Sequence, residues 1–184
     1  MTDALEDHED TFGIGGRTIT NLRFGDDIAC LAGEGEALAK LVERLDKAST
    51  AYSMEISAEK TKLMTNNTSG INTEIKVYSQ TLETVTSFKY LGSITADDGS
   101  KPEILSRIAQ ATAALTRLEP VWDDRNIYLS SKIRLMRSLF TSTFLYACES
   151  WSLTAELQRR IQAMEMWWYR KILRISYKRL QLVS

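Results

Sequence analysis

The apolar period of this chain changes partway along, and that change limits the fold more than any other feature. Before about residue 98 the β-prone runs are short and broken by Gly, Asn, Ser and Asp; after it, apolar residues recur at steps of three and four. A chain with this pattern is α+β, with paired strands first and packed helices second. The turn residues Asp97-Asp98-Gly99-Ser100 mark the expected division. Three segments result: an acidic N-terminal stretch 1–11, a strand-rich region 12–98 and a helical region 99–184.

In the strand-rich region Gly13, Gly15 and Gly16 precede an alternating stretch over residues 17–24, which predicts a tight turn feeding a strand. After Gly25-Asp26-Asp27 comes the apolar run 28–32, so the two runs predict a hairpin closed by an acidic turn. From Glu34 onward, Leu38, Leu41, Val42, Leu45 and Ala48 fall at helical spacing with Glu43, Arg44 and Lys47 on the outer side. One amphipathic helix is therefore expected to pack on antiparallel hairpins. β-prone runs return at 61–65, 75–78 and 85–94, separated by Asn66-Asn67-Thr68-Ser69-Gly70 and by Ser79-Gln80.

In the helical region Ser100-Lys101-Pro102-Glu103 has the pattern of a capping box with Pro in the first turn. Ile104, Ile108, Ala111, Leu115 and Leu118 then continue one face, and Pro120 is expected to end the helix. A second helix is expected from about Ser131 through Cys148, with Ile133, Met136, Phe140 and Phe144 inward. A third follows Thr154, with Leu157, Ile161, Met164, Trp168, Ile172 and Ile175 on its apolar face. Trp168 is assigned to the core, while Trp167 is left between core and surface.

Composition excludes several classes. With 43% hydrophobic and 26% charged residues and only two prolines, the chain is not of disordered type. No apolar run approaches the roughly 18 residues that span a bilayer, and the N-terminus is acidic, so an intracellular, nuclear or cytoplasmic protein without membrane association is expected. Cys30 and Cys148 are far apart and lack CxxC spacing, which favours reduced thiols. The net charge of -1 conceals sorting: residues 1–46 hold eleven acidic against four basic side chains, and the remainder thirteen against nineteen. A basic second half suits a phosphate backbone, although a solvated helical face would look the same.

Asp-Asp occurs three times, at 26–27, 97–98 and 123–124, so the dipeptide alone is weak evidence. The later pairs sit among turn and cap residues. The first lies between the apolar strands of the expected hairpin, where two adjacent carboxylates need solvent, hydrogen bonds or a cation. Polymerases use such carboxylates to hold two metal ions about 4 Å apart. A plain hairpin turn accounts for the same residues. A metal-dependent nuclease would need a further carboxylate or histidine at suitable spacing; none is evident, and His8 is the single histidine.

The segment Asn21-Leu22-Arg23-Phe24-Gly25-Asp26-Asp27-Ile28 resembles the catalytic hairpin of non-LTR retrotransposon reverse transcriptases, whose usual form is an aromatic residue, Ala, Asp, Asp. The order of the downstream segments is similar too. Tyr52-Ser53-Met54-Glu55-Ile56-Ser57-Ala58-Glu59-Lys60-Thr61-Lys62 resembles the next polymerase motif, and Phe88-Lys89-Tyr90-Leu91-Gly92-Ser93 the primer grip. Leu145-Tyr146-Ala147-Cys148-Glu149-Ser150-Trp151-Ser152-Leu153-Thr154 and Tyr169-Arg170-Lys171-Ile172-Leu173-Arg174-Ile175-Ser176-Tyr177 resemble segments after the palm. The resemblance implies a partial polymerase palm followed by an all-helical thumb, acting on an RNA template and a DNA primer with Mg²⁺.

It also implies roles. Asp26 would be a metal ligand with Asp27 beside it, Phe24 would pack next to the primer end, and Lys60 would protonate leaving pyrophosphate. Tyr90, Leu91 and Gly92 would form the primer-grip turn, while Arg159, Arg160, Arg170, Lys171 and Arg174 would face nucleic acid. Two departures stand out. Gly25 replaces the usual Ala, which is expected to loosen the hairpin by roughly 0.5 to 1 kcal/mol. The second metal-binding Asp and the fingers lie upstream in the family, so the chain is expected to be a fragment inactive by itself. A catalytically dead nucleic-acid-binding module, or a helical remnant that binds other chains through exposed apolar surface, are the alternatives.

Overall fold

The computed structural model describes residues 12–14, 17–65 and 74–175; the acidic stretch 1–11, the expected break at Asn66-Asn67-Thr68-Ser69-Gly70, and Ser176 and Tyr177 lie outside them. The chain divides into two compact units, Met1–Leu91 and Gly92–Ser184. The division expected at Asp97-Asp98-Gly99-Ser100 thus lies inside the second unit, because the strand Ser93–Ala96 packs on the helix that comes after it.

Unit 1 holds short two-stranded ladders and one helix. The strands β1 (Phe12–Ile14) and β2 (Arg17–Ile19) pair antiparallel, as do β3 (Asn21–Phe24) and β4 (Asp27–Cys30). The alternating stretch 17–24 is therefore two strands with different partners. Helix α1 (Gly35–Ala51) is the expected amphipathic helix. Its buried Leu41 and Leu45 meet Ile28 and Cys30, while Leu38, Ala39 and Val42 pack against Leu63, Ile75, Val77 and Leu82. These last residues come from β5 (Lys62–Leu63), from β6 (Lys76–Val77) and from the flanks of β6, β7 (Gln80–Thr81) and β8 (Glu83–Thr84). Ladders this short are not stable alone, so apolar contact with α1 holds the β3–β4 hairpin and the strands β5 to β8.

One pairing of unit 1 differs from the expected antiparallel hairpins, and the break expected at Ser79-Gln80 falls one residue earlier. The strands β5 and β8 run parallel, with Lys62 opposite Glu83 and their side chains paired at 2.6 Å. Between β6 and β7 both turn residues, Tyr78 (φ 49°) and Ser79 (φ 68°), take left-handed backbone, the pattern of a two-residue type I′ turn. The unit ends with β9 (Ser87–Tyr90).

Unit 2 begins with β10 (Ser93–Ala96), followed by α2 (Lys101–Thr116), the short α3 (Glu119–Asp123), α4 (Leu129–Thr143), a 3₁₀ turn (Cys148–Ser150) and α5 (Ala155–Leu173). Its core is Ala111, Leu115, Trp122, Met136, Phe144, Met164, Trp168 and Ile172. Trp168 is 1% exposed, as expected from its apolar face. Pro120 does not end α2; it lies in the first turn of α3, where its missing N–H costs no helical bond. The indole of Trp122 donates to the Leu115 carbonyl at 2.7 Å, closing α2 from below. Buried Lys132 of α4 donates to the Trp122 and Asp124 carbonyls at 2.7 and 2.6 Å, so its charge meets the negative end of α3.

The capping box is not formed. Ser100 Oγ accepts from the Ser152 N–H at 2.9 Å, and Glu103 turns inward. One carboxylate oxygen of Glu103 accepts from Ile94 N–H of β10 at 2.7 Å, and the other from Arg107 Nε at 2.6 Å. Arg107 also donates to the Gly92 carbonyl at 2.6 Å and lies 4.6 Å from the Tyr146 ring centre. With Glu103 2% and Arg107 7% exposed, each charge depends on the other for compensation. Arg107→Met is expected to destabilise unit 2 by about 3–5 kcal/mol, and the double change Glu103→Leu with Arg107→Met by clearly less. Urea unfolding followed by tryptophan fluorescence checks this, since Trp122, Trp151, Trp167 and Trp168 all lie in unit 2.

Candidate functional site

The hairpin of β3 and β4 closes on a two-residue turn, Gly25 and Asp26, with Phe24 opposite Asp27. Gly25 has φ +58° and no described non-glycine residue between 25 and 52 has positive φ, so only the first turn position is left-handed, as in a type II′ turn. Gly25 is thus suited to this turn, and the loosening expected from it is corrected. A Cβ there meets no atom within 4 Å, so the strain of an alanine would be backbone strain alone.

Alternation along β3 and β4 sorts the hairpin into two faces. Ile28 and Cys30 turn toward α1. Leu22 and Phe24 occupy the other face with their cross-strand partners Ala29 and Asp27. Phe24 is 69% exposed, and Asp26 and Asp27 are exposed as well. An aromatic ring and the Asp27 carboxylate therefore stand together on the side away from the helix, with Asp26 exposed in the turn beside them.

Tyr90 joins this group. Its hydroxyl donates to the Leu22 carbonyl at 3.3 Å, and burial first, then the negative charge of Asp27, push its pKa up. The phenol stays a neutral donor beside the acidic turn. Phe24, Asp27 and Tyr90 are thus brought together, with Asp26 adjacent at the tip. Lys60 lies exposed in the turn 58–60 that precedes β5. After Tyr90 the backbone passes through left-handed conformations at Leu91 (φ 48°) and Gly92 (φ 82°). For a branched residue such as Leu91 that is a strained conformation, of order 1–3 kcal/mol.

Asp26 and Asp27 offer carboxylate oxygens, the donors that Mg²⁺ prefers. Among the described residues no group of three or more His, Cys, Asp or Glu could hold a metal ion. The pair alone does not complete a two-metal site.

The basic residues of α5 are largely engaged within the fold. Lys171 pairs with Glu119 at 2.7 Å and lies 5.3 Å from the Trp167 ring centre; Arg174 approaches Asp123 at 3.6 Å. Arg160 pairs with Glu156 at 2.9 Å, and its hydrogen bond holds the Glu156 carboxyl below the usual range. Arg159 donates to the Ala155 carbonyl, and Arg170 is half-buried. Trp167 is 42% exposed and belongs to the surface. In the sequence Glu103 reads as a capping residue, and its buried pairing with Arg107 is not anticipated. Their i, i+4 spacing in phase with Ile104, Ile108 and Ala111 is the signal that marks them as inward-facing.

No family model and no solved structure matches the chain. It is 29% identical over 159 residues to a protein of Caenorhabditis elegans described as transposon-derived, in an alignment covering 81% of this chain and 54% of that protein. The chain therefore spans about half the length of that relative. Among the described residues no helix is long and apolar enough to cross a membrane.

Two outcomes are expected for the hairpin. Gly25→Ala should cost about 1 kcal/mol by forcing a Cβ into left-handed backbone; methyl NMR of Ile28 and Ala29 in urea reads it directly. Burial also raises the Cys30 thiol pKa. Cys30 and Tyr90 both hold their protons more tightly folded than unfolded, so their contribution is complete below the unfolded pKa values and lost as pH rises through the folded ones. The urea midpoint of unit 1 should fall from neutral to strongly alkaline pH, and Cys30→Ala with Tyr90→Phe should flatten that fall.

Proposed function

We propose that this chain is derived from a transposon and is part of an RNA-directed DNA polymerase of the non-LTR retrotransposon kind, with unit 1 from the palm and unit 2 from the thumb. The observation that carries the reading is the face of the β3–β4 hairpin, where Asp26 and Asp27 stand exposed beside Phe24 and Tyr90. A primer terminus has an apolar ring to lie on, a neutral phenol beside it, and carboxylates at the tip. Lys60 is the cation assigned to the leaving pyrophosphate, and Leu91 and Gly92 the turn assigned to the primer strand. The similarity to a transposon-derived protein agrees with this origin.

Mg²⁺ is the ion this reading requires, and it supplies charge neutralisation at the reacting phosphates. Asp26 and Asp27 would contribute only part of its coordination, so the chain by itself should bind a primer–template without extending it. A protein-binding remnant is the second reading. It is favoured by Met166, Tyr169 and Leu173, exposed apolar residues that share a helical face of α5.

Incubation with oligo-dT on poly-rA, dTTP and Mg²⁺ separates these. The expected result is retention of the primer–template on a native gel with no extension. Extension that persists in Asp26→Ala would contradict the role of Asp26. Absence of retention, together with concentration-dependent self-association, would favour the protein-binding reading instead.

A further inference from the structure

The longest acid-free segment of unit 2 is not α5. Between Asp124 and Glu149 the chain contains Arg125, Lys132, Arg134 and Arg137 and no Asp or Glu. Helix α4 lies within that stretch. Its inner face buries Lys132 and Met136, and the Lys132 ammonium is spent on the carbonyls at the end of α3. Helical periodicity places Ser130, Arg134, Arg137, Ser138 and Thr141 together on the opposite side, and all five are exposed. Among the described residues neither Arg134 nor Arg137 takes part in an ion pair or a hydrogen bond. The N-cap residue Tyr128 makes no side-chain cap bond and is 81% exposed, leaving the positive end of α4 open beside an aromatic ring.

We propose that this face of α4 is the surface on which the chain holds a nucleic-acid backbone. The inference rests on the polymerase reading above and gives its thumb a specific contact. Arginines separated by one turn, flanked by hydroxyls, offer donors to successive phosphates without sequence preference. From Ser130 to Thr141 the stripe is roughly 16 Å long at 1.5 Å per residue. That length matches about five steps of a strand at 3.4 Å per nucleotide. On α5, by contrast, Arg160, Lys171 and Arg174 would first have to leave Glu156, Glu119 and Asp123. Charge complementarity therefore selects α4.

The test uses the full chain and a fluorescein-labelled RNA–DNA hybrid, with affinity measured by anisotropy across a salt series. Arg134→Gln with Arg137→Gln should weaken binding at least tenfold in moderate salt and make the slope of log K against log salt shallower by about 2, at roughly 0.9 per lost phosphate contact. Arg159→Gln with Arg160→Gln should leave the slope unchanged. Both pairs are exposed, so circular dichroism should match the parent. Should the α4 variant keep the parent slope, or the α5 variant lose it, the assignment to α4 fails while the polymerase reading stands. If the parent chain does not bind the hybrid, both fail. Equally tight binding to phosphatidylserine vesicles, lost in the same α4 variant, would assign the face to a lipid surface and overturn nucleic acid as its occupant.

Discussion

The carboxylate of Glu103 is buried in unit 2, and much of the local geometry depends on keeping it there. One oxygen holds the Ile94 N–H and so fixes β10 against α2; the other holds Arg107, whose guanidinium reaches the Gly92 carbonyl and the Tyr146 ring. Removing either partner would strand a charge away from water, which is why such pairs are costly to break even when they add little net stability. The pair makes the conformation at Gly92 a property of helix α2. Gly92 is the last residue of the turn that the proposed reading assigns to the primer strand, and within unit 2 its carbonyl is held by an ion pair that touches no ligand.

Unit 1 solves a different problem. Its ladders are short, with two to four residues in each strand. Helix α1 is the shared partner: Leu41 and Leu45 serve the β3–β4 hairpin, and Leu38, Ala39 and Val42 serve the later strands. Because Ile28 and Cys30 are committed to α1, the alternate residues Leu22, Phe24 and Asp27 have to face away. The exposure of Asp27 is thus a consequence of register, and a one-residue slip would turn it toward α1.

Much of this was legible in the sequence where a periodic pattern ran long enough to decide. The span of α1, the apolar face of α5 from Leu157 to Ile172 and the burial of Trp168 follow from steps of three and four. Ile175, expected on that face, lies exposed beyond the left-handed Arg174 that ends α5. The hairpin at Gly25 and Asp26 follows from alternation around a turn. Other features lay beyond local pattern. Ser100-Lys101-Pro102-Glu103 reads as a capping box, but Glu103 finds a better partner four residues on and a strand amide that no local rule contains. The left-handed backbone at Gly25 depends on turn geometry, which is why the glycine reads as loosening the hairpin when it fits the turn. The parallel pairing of β5 with β8 joins segments separated by the Asn66-Asn67-Thr68-Ser69-Gly70 break, a distance over which alternation carries no register. The basic stripe of α5 was visible as composition, whereas its neutralisation by Glu119 and Asp123 arises from tertiary packing.

In the proposed reading, the two units divide the work of holding a primer–template. The hairpin of unit 1 meets the primer end with Phe24, Tyr90 and two carboxylates, and α4 of unit 2 holds the backbone through Arg134, Arg137 and the hydroxyls beside them. The first of these depends on register and the second on the absence of internal counter-charges. The most direct measurement is an amide NMR titration of the labelled full chain with a short RNA–DNA hybrid. Shift changes concentrated at residues 24–27, at Tyr90 and along the outer face of α4 are the expected result. Changes confined to the exposed apolar face of α5, or none at saturating hybrid, would contradict the account.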